Sequence, residues 1–342
     1  MMALRKAVIM ADNVDFYDSS ILDYVYGEER LAHLKTITDM YPIRINSANL
    51  AEELQNLSEI EVIFTTWGML NLTSQQIEQM PKLKAVFCAS GSVNYFAKEF
   101  FKRGILIINA VEANAIPVAE FCLAQILLSC KNFYQNSRQC EKGPWQQSQM
   151  TVGNGVYGET IALIGLGAVS KHLIKLLKPF NLKIIACCDY HDNSTEEAKK
   201  IGIDEFVTLE QAFSRAYVVS NHLADKENNK KIISKFLFNS MRQGATFINT
   251  GRGAQVNEED MIDVFETRKD LTALLDVQYP EPPALGNPLY TLENIYMTSH
   301  IAGSANDEVR RLADFVIADF QRWSREEALL YSVEPASLAW RA

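Results

Sequence analysis

The sequence predicts an α/β fold in two domains, one of them built on a doubly wound parallel sheet. Three observations carry this. The chain has 342 residues, more than twice the length of a typical domain. Short apolar, β-branched runs alternate with helical patterns along its whole length, the rhythm of parallel strands linked by helices. One of those runs, 161–164, is followed at once by the glycine turn Gly165-Leu-Gly167 and then by a helical pattern, the order in which an open parallel sheet starts.

Taken in order, runs 7–10, 61–65, 85–89 and 105–108 read as strands. The segment 114–130 reads as one long helix. Val118, Cys122, Ile126 and Leu127 fall at helical spacing there, and Pro117 is expected in its first turn, where a missing N–H is tolerated. Residues 131–158 are polar and carry Gly143-Pro144, Gly153, Gly155 and Gly158, so an extended connection is expected before a second sheet. That sheet is assigned six strands, 161–164, 183–188, 217–220, 245–249, 273–277 and 295–298, with a helix over 171–177. Near the end, Val309, Leu312, Ala313, Val316 and Phe320 repeat at helical spacing. If the chain returns to the first domain there, that domain is discontinuous.

Composition excludes several classes of function. Lys plus Arg number 33 against 42 Asp plus Glu, a net charge of −9, and no run of five basic residues occurs, so no nucleic-acid partner is expected. Uninterrupted apolar stretches are short, so no membrane span is expected. The apolar run after Arg5 and Lys6 stops at Asp12, too soon for a secretory signal, and the expected location is cytoplasmic. The six cysteines (Cys88, Cys122, Cys130, Cys140, Cys187, Cys188) contain no C-x-x-C pair and read as reduced thiols packed as small hydrophobes. The five histidines are scattered without ligand spacing, so no metal is expected.

The glycine turn is the strongest local signal. Gly165 would permit a tight turn, and Gly167 would let the backbone approach a pyrophosphate seated on the N-terminus of the next helix. Ser170 stands at the third glycine position of the usual pattern, a small residue where close helix–strand packing is needed. Twenty-two residues past Gly167, Asp189 ends an apolar run, where a carboxylate can accept both ribose hydroxyls. No arginine follows it closely, so the expected cofactor is NAD and not NADP.

Three ionisable residues stand at the C-terminal ends of later strand candidates: Arg252 in Asn249-Thr-Gly-Arg-Gly, Glu281 in Pro280-Glu-Pro282, and His300 in Ser299-His-Ile-Ala-Gly303. Ligands collect at that edge of an open sheet. Together they supply what hydride exchange with a 2-hydroxy acid requires. His300 can take and return the hydroxyl proton, Glu281 can orient and favour the imidazolium, and Arg252 can grip a carboxylate with two parallel hydrogen bonds. After the strand candidate 61–65, Trp67 is a candidate wall for the substrate side chain.

With these motifs in this chain order, the sequence resembles the D-isomer-specific 2-hydroxy acid dehydrogenase family over nearly its whole length. The resemblance implies a flavodoxin-like substrate domain at 1–116 plus 305–342, with an NAD-binding Rossmann domain at 117–304 inserted into it. It implies NAD-dependent interconversion of a small-molecule D-2-hydroxy acid and its 2-keto acid, with Arg252, Glu281 and His300 catalytic. Asp276 would lie near the nicotinamide amide, with Ala168, Val169 and Thr250 among the cofactor contacts. Backbone N–H groups at Ser90 and Gly91 would hold the substrate carboxylate, and the enzyme would be a homodimer. The chain departs from the family pattern at Ser92-Val-Asn-Tyr-Phe96, at Ala168, at Ala224 and at Ser299, which bears on cofactor affinity and substrate identity. The other reading is a dinucleotide-sensing interaction protein like the C-terminal-binding-protein corepressors, which resemble the same family.

Overall fold

A computed structural model of the chain describes residues 4–12, 15–16, 19–144, 152–188 and 194–339. The chain divides into two compact units, Met1–Asn114 with Ser304–Ala342, and Ala115–Gly303.

Unit 1 runs β1 (Arg5–Ile9), the short antiparallel pair β2 (Asp15–Phe16) and β3 (Ser19–Ser20), α1 (Ile21–Ile37), β4 (Thr38–Met40), α2 (Leu50–Glu53), β5 (Val62–Thr65), α3 (Ser74–Glu78), β6 (Ala85–Cys88), α4 (Ala97–Phe101) and β7 (Leu106–Asn109). Its sheet is parallel in the order β4-β1-β5-β6-β7. Counted by the sheet's own strands this is 2-1-3-4-5, the flavodoxin-like order. Both faces are covered, which is why these strands read as continuous apolar runs. Val8, Ile63 and Val86 point into one core, and Ala7, Ile9, Phe64 and Phe87 into the other. The edge strand β4 was not recognised in the sequence, because three residues are too few to show a period.

Unit 2 continues with α5 (Val111–Cys130), α6 (Phe133–Glu141), β8 (Tyr157–Ile164), α7 (Ala168–Leu177), β9 (Asn181–Cys187), α8 (Thr195–Ile201), β10 (Glu205–Phe206), α9 (Leu209–Arg215), β11 (Val218–Asn221), α10 (Lys235–Ser240), β12 (Thr246–Asn249), α11 (Glu258–Thr267), β13 (Thr272–Leu275) and β14 (Ile295–Met297). Its seven strands lie in the order β10-β9-β8-β11-β12-β13-β14, a Rossmann arrangement extended by one strand. The order reverses between β8 and β11, so the crevice where a nucleotide binds opens at the C-terminal ends of those two strands. Unit 1 is completed by α12 (Arg310–Ser324). The buried Leu312, Ala313, Val316 and Phe320 of α12 join the core that holds Phe64 and Phe87.

Several expectations are corrected. The long helix starts at Val111, because the Asn114 N–H already bonds the Ala110 carbonyl. Pro117 is therefore the seventh helical residue and lies past the first turn. The connection at 131–158 is not extended throughout. It contains α6, whose Tyr134 and Arg138 are buried and held to Tyr296 and Thr272, while 145–151 lie outside the described residues. The helix after the glycine turn begins at Ala168, three residues early, and a seventh strand, β10, is only two residues long. Among the described residues α5 is also the one helix long and apolar enough to cross a membrane, which the uninterrupted runs did not show. Half of that stretch is buried in protein, with Val118, Ala119, Cys122, Ile126 and Cys130 in the core of unit 2. All six cysteines are free.

Candidate active site

The glycine turn joins β8 to α7. Gly165 has φ +89°, and a Cβ on it would stand 2.7 Å from the His222 carbonyl oxygen, so both backbone conformation and close approach demand glycine here. Its N–H donates to Cys187 O at 2.8 Å. Ser170, the mismatch to the usual third glycine, is buried and donates its hydroxyl to Gly165 O at 2.6 Å, closing the turn from the helix side. Gly167 is different. It has an ordinary negative φ, and a Cβ there would meet no atom of the described residues within 4 Å.

Among the described residues nothing in the packing therefore requires glycine at 167, and they leave the space in front of it open. Gly167 is the N-cap of the 10-residue helix α7, and no side chain caps that end. The first-turn N–H groups, beginning at Ala168 and Val169, are left for a ligand of negative charge. These features fit a dinucleotide pyrophosphate. Asp189, the candidate ribose ligand, lies outside the described residues.

Beside the turn, at the end of β11, stands the partly buried His222. Its Nε2 lies 2.9 Å from Ser220 Oγ and its Nδ1 3.5 Å from Thr250 Oγ1, and burial pushes its pKa down to about 4. Thr250 also meets the Cys122 thiol at 3.4 Å, whose pKa burial pushes up to about 11.

Arg252 follows β12. A Cβ on its neighbour Gly253 would collide with the Gln278 backbone, so the arginine turn sits directly on the chain that leads to Glu281. The guanidinium donates from Nη1 to Gly251 O at 2.8 Å and lies 3.8 Å from Asp225. It is 39% exposed, which leaves donors available for a ligand carboxylate.

The segment after β14 presents His300 with φ +62°, a left-handed conformation that costs a non-glycine residue about 1 kcal/mol or more. Asp276, 2% exposed at the end of β13, holds that bend in place. Its Oδ1 accepts from Thr298 Oγ1 at 2.6 Å and Ile301 N–H at 2.8 Å, and its Oδ2 accepts from Ala302 N–H at 2.9 Å. The carboxylate thus serves the loop that carries His300. His300 Nδ1 lies 3.0 Å from Glu281 Oε1, with side chains 51% and 36% exposed. Nε2 is the nitrogen left to meet a substrate.

In unit 1, Ser90 lies at the end of β6. Its carbonyl accepts from Ala110 N–H at 3.0 Å, and its hydroxyl donates to Ser92 O at 3.2 Å and lies 3.1 Å from the Cys88 thiol. The Gly91 carbonyl accepts from Asn109 Nδ2 at 2.9 Å. The Ser90 N–H is itself taken, donating to Cys88 O at 2.8 Å, and Ser90 is fully buried, so the structure does not present its amide to a ligand and the expectation for Ser90 is corrected. Trp67 follows β5 and is partly buried. Tyr95 faces the backbone amides of Gly68 and Met69, and burial raises its pKa.

Sequence reasoning gave Asn109 no role and missed His222, Asn221, Gln255 and the buttressing use of Asp276. The available signal was polar type in apolar context, since Asn221 ends the run Val-Val-Ser-Asn and buried amides must find partners.

Comparison with known proteins gives the same frame. The family model described as D-isomer specific 2-hydroxyacid dehydrogenase, NAD binding domain, matches residues 123–302. A D-3-phosphoglycerate dehydrogenase of Methanocaldococcus jannaschii is 27% identical over 288 residues, 84% of this chain and 54% of that protein. The chain thus spans about half the length of that relative. A glyoxylate reductase of Korarchaeum cryptofilum is 27% identical over 75% of this chain and 77% of its own length. Among solved structures, a phosphoglycerate oxidoreductase of Rhizobium etli superposes with TM-score 0.80 at 21% identity, over 96% of this chain and 99% of that one. The matched span covers just over half of the chain, and the protein belongs to the D-isomer specific 2-hydroxyacid dehydrogenase family, with unit 2 as its NAD-binding domain.

Proposed function

We propose that this protein interconverts a D-2-hydroxy acid and its 2-keto acid with NAD(H) as the hydride partner. When bound, the nicotinamide supplies or accepts the hydride at the carbon bearing the substrate oxygen. His300 holds the proton for that oxygen at Nε2, and Glu281 on Nδ1 fixes the ring and favours the imidazolium. Arg252 binds the carboxylate and polarises the neighbouring carbonyl, a task for which a forked guanidinium is suited and a lysine is not. The loop after β6 offers the Gly91 N–H to the same carboxylate, while Ser90, whose own N–H donates to Cys88 O at 2.8 Å, shapes that loop. Gly165, Gly167, Ala168, Val169 and Thr250 contact the cofactor, with Asp276 holding the His300 loop near the nicotinamide amide.

The observation that carries this reading is the 3.0 Å His300–Glu281 pair, on the same sheet edge as Arg252 and the open helix N-terminus. The loops after β5 and β6, 66–72 and 89–96, contain no charged residue. They carry Trp67, Met69 and Tyr95, which supports a keto acid with an uncharged, unphosphorylated side chain. Asp189 at its spacing from Gly167 supports NAD over NADP. Six free cysteines suit a reducing compartment, and the reading includes a cytoplasmic homodimer, which light scattering checks.

The deciding experiment follows NADH oxidation across a panel of 2-keto acids, wild type beside His300→Ala, with NADPH as control. Turnover of one acid that falls by about 10³-fold without His300, within the range for a general acid, is the expected result. Tight NADH binding with no turnover of any acid would overturn it in favour of a sensing role.

A further inference from the structure

Beneath the Arg252 turn lie three side-chain amides that the mechanism above leaves without a task. Asn221, Asn249 and Gln255 are 0%, 1% and 1% exposed, and they form one connected network. Gln255 is its hub. Its Oε1 accepts from Asn221 Nδ2 at 2.7 Å and from the Arg252 backbone N–H at 3.2 Å. Its Nε2 donates to Leu223 O at 3.0 Å and Ala224 O at 2.9 Å. Every hydrogen-bonding site of a glutamine amide is thereby used. Asn249 completes the hold on the arginine. Its Nδ2 donates to Arg252 O at 3.3 Å, while its Oδ1 accepts from Asn221 Nδ2 at 2.9 Å and Gly251 N–H at 3.1 Å.

The backbone of Arg252 is thus gripped on both its N–H and its carbonyl, which fixes the root of the guanidinium. The other arm of Gln255 ends on loop 222–224. That loop is in direct contact with the cofactor turn, because the His222 carbonyl fills the space in front of Gly165. Its next residue, Asp225, reaches the guanidinium at 3.8 Å. A buried amide is costly unless satisfied, and a network with one missing partner is worse than an apolar filling. Gln255 therefore gives the two loops one preferred relative position.

We infer that Gln255 is a positioning residue which ties Arg252 to loop 222–224, so that seating the dinucleotide at the glycine turn and presenting the guanidinium to the substrate carboxylate are one coupled event. The inference rests on the proposed function.

Its test is the linkage between two ligands on the full chain. Oxamate, an unreactive 2-keto acid mimic, is titrated by calorimetry with and without saturating NADH. The proteins are wild type, Gln255→Leu and the double variant Asn221→Leu/Gln255→Leu. In wild type NADH is expected to tighten oxamate about tenfold or more, within the usual range of coupling between sites. In Gln255→Leu the gain should fall below about threefold, with the loss appearing as a raised keto-acid KM. The double variant leaves the Leu223 and Ala224 carbonyls and the Arg252 N–H unpaired, as the single variant does, so its melting temperature should stay at or below that of Gln255→Leu while the linkage stays lost. A merely structural role would lower both melting temperatures and leave the linkage at wild-type size. Should the double variant fail to fold, Gln255→Leu decides alone. Linkage of wild-type size in either folded variant overturns the inference and leaves the proposed function standing. Absence of any NADH-dependent oxamate binding in wild type overturns both.

Discussion

The two sheets end on edges of opposite chemical character. At the C-terminal edge of unit 2, Arg252, Glu281 and His300 are presented by turns that buried polar groups hold from below: the amides of Asn221, Asn249 and Gln255, and the carboxylate of Asp276. At the corresponding edge of unit 1, the loops after β5 and β6 carry no charge at all. Neutral side chains bonded to backbone carbonyls organise them, with Thr66 Oγ1 donating to Ala89 O at 2.7 Å and Asn109 holding Gly91 O. The difference teaches a division of labour. Groups that change charge or meet developing charge need a rigid polar foundation, because a misplaced dipole loses most of its effect. On the proposed reading, the uncharged loops of unit 1 meet a substrate whose charge does not change.

The comparison breaks most visibly at Arg252. Arg252→Lys keeps the positive charge but removes the fork, and kcat/KM for the keto acid is expected to fall by about 10²-fold or more. NADH affinity should stay within about twofold, since on the proposed reading the guanidinium meets the substrate and not the cofactor. Steady-state kinetics beside fluorescence titration of NADH checks this. A small loss in kcat/KM would mean that the unit 1 amides carry the carboxylate by themselves.

The foundation also has a pH signature. His222 has a pKa lowered from 6.5 to about 4 by burial. Between those values the unfolded chain binds a proton on this imidazole and the folded chain does not, so stability falls as pH falls through that window. The upper bound is roughly 3 kcal/mol. Urea unfolding from pH 7 to 4.5 should show this slope in wild type and a flatter one in His222→Asn. Equal slopes would assign the acid sensitivity to other groups.

How much of this was legible in the sequence depends on the range of the forces involved. The doubly wound sheet was readable because strands buried on both faces give unbroken apolar runs, and because the glycine turn is a local requirement of backbone geometry. The placement of Arg252, Glu281 and His300 just past strand ends was readable because each follows an apolar strand run in the sequence. The edge strands β4 and β10, three and two residues long, were not readable, since neighbours in the sheet create them. Nor was α6, where burial of Tyr134 and Arg138 against Tyr296 overrides a polar, glycine-bearing composition. The hidden foundation was the least legible part. Gln255 bonds to Leu223 and Ala224, about thirty residues away in sequence, and a single glutamine carries no mark of where its partners lie.

The cofactor seat sharpens the same contrast inside unit 2. Gly165→Ala puts a methyl against the His222 carbonyl at φ +89° and is expected to cost about 2 kcal/mol of stability. Gly167→Ala places its methyl in open space at an ordinary φ. Its melting temperature should match wild type, while NADH binding weakens about tenfold because the methyl occupies the approach to the pyrophosphate. Unchanged NADH affinity would move the cofactor away from the N-terminus of α7.

The smallest effect is expected in unit 1, at Asn109. Its Nδ2 holds the Gly91 carbonyl at 2.9 Å, while its Oδ1 is buried with no partner among the described residues. Asn109→Leu removes a useful donor and an unsatisfied acceptor in one step. The two terms oppose each other, so stability should change by no more than about 1 kcal/mol. The Gly91 carbonyl, once released, lets the loop turn its amides away from the carboxylate. The keto-acid KM should therefore rise several-fold, by about 1 kcal/mol in binding, while kcat at saturation is retained. That split separates the two edges: a residue that orders the recognition loop acts on KM alone, whereas Arg252 acts on kcat/KM through the transition state. If kcat falls with KM at Asn109, the loop after β6 shares in stabilising the transition state and the division of labour between the edges is not real.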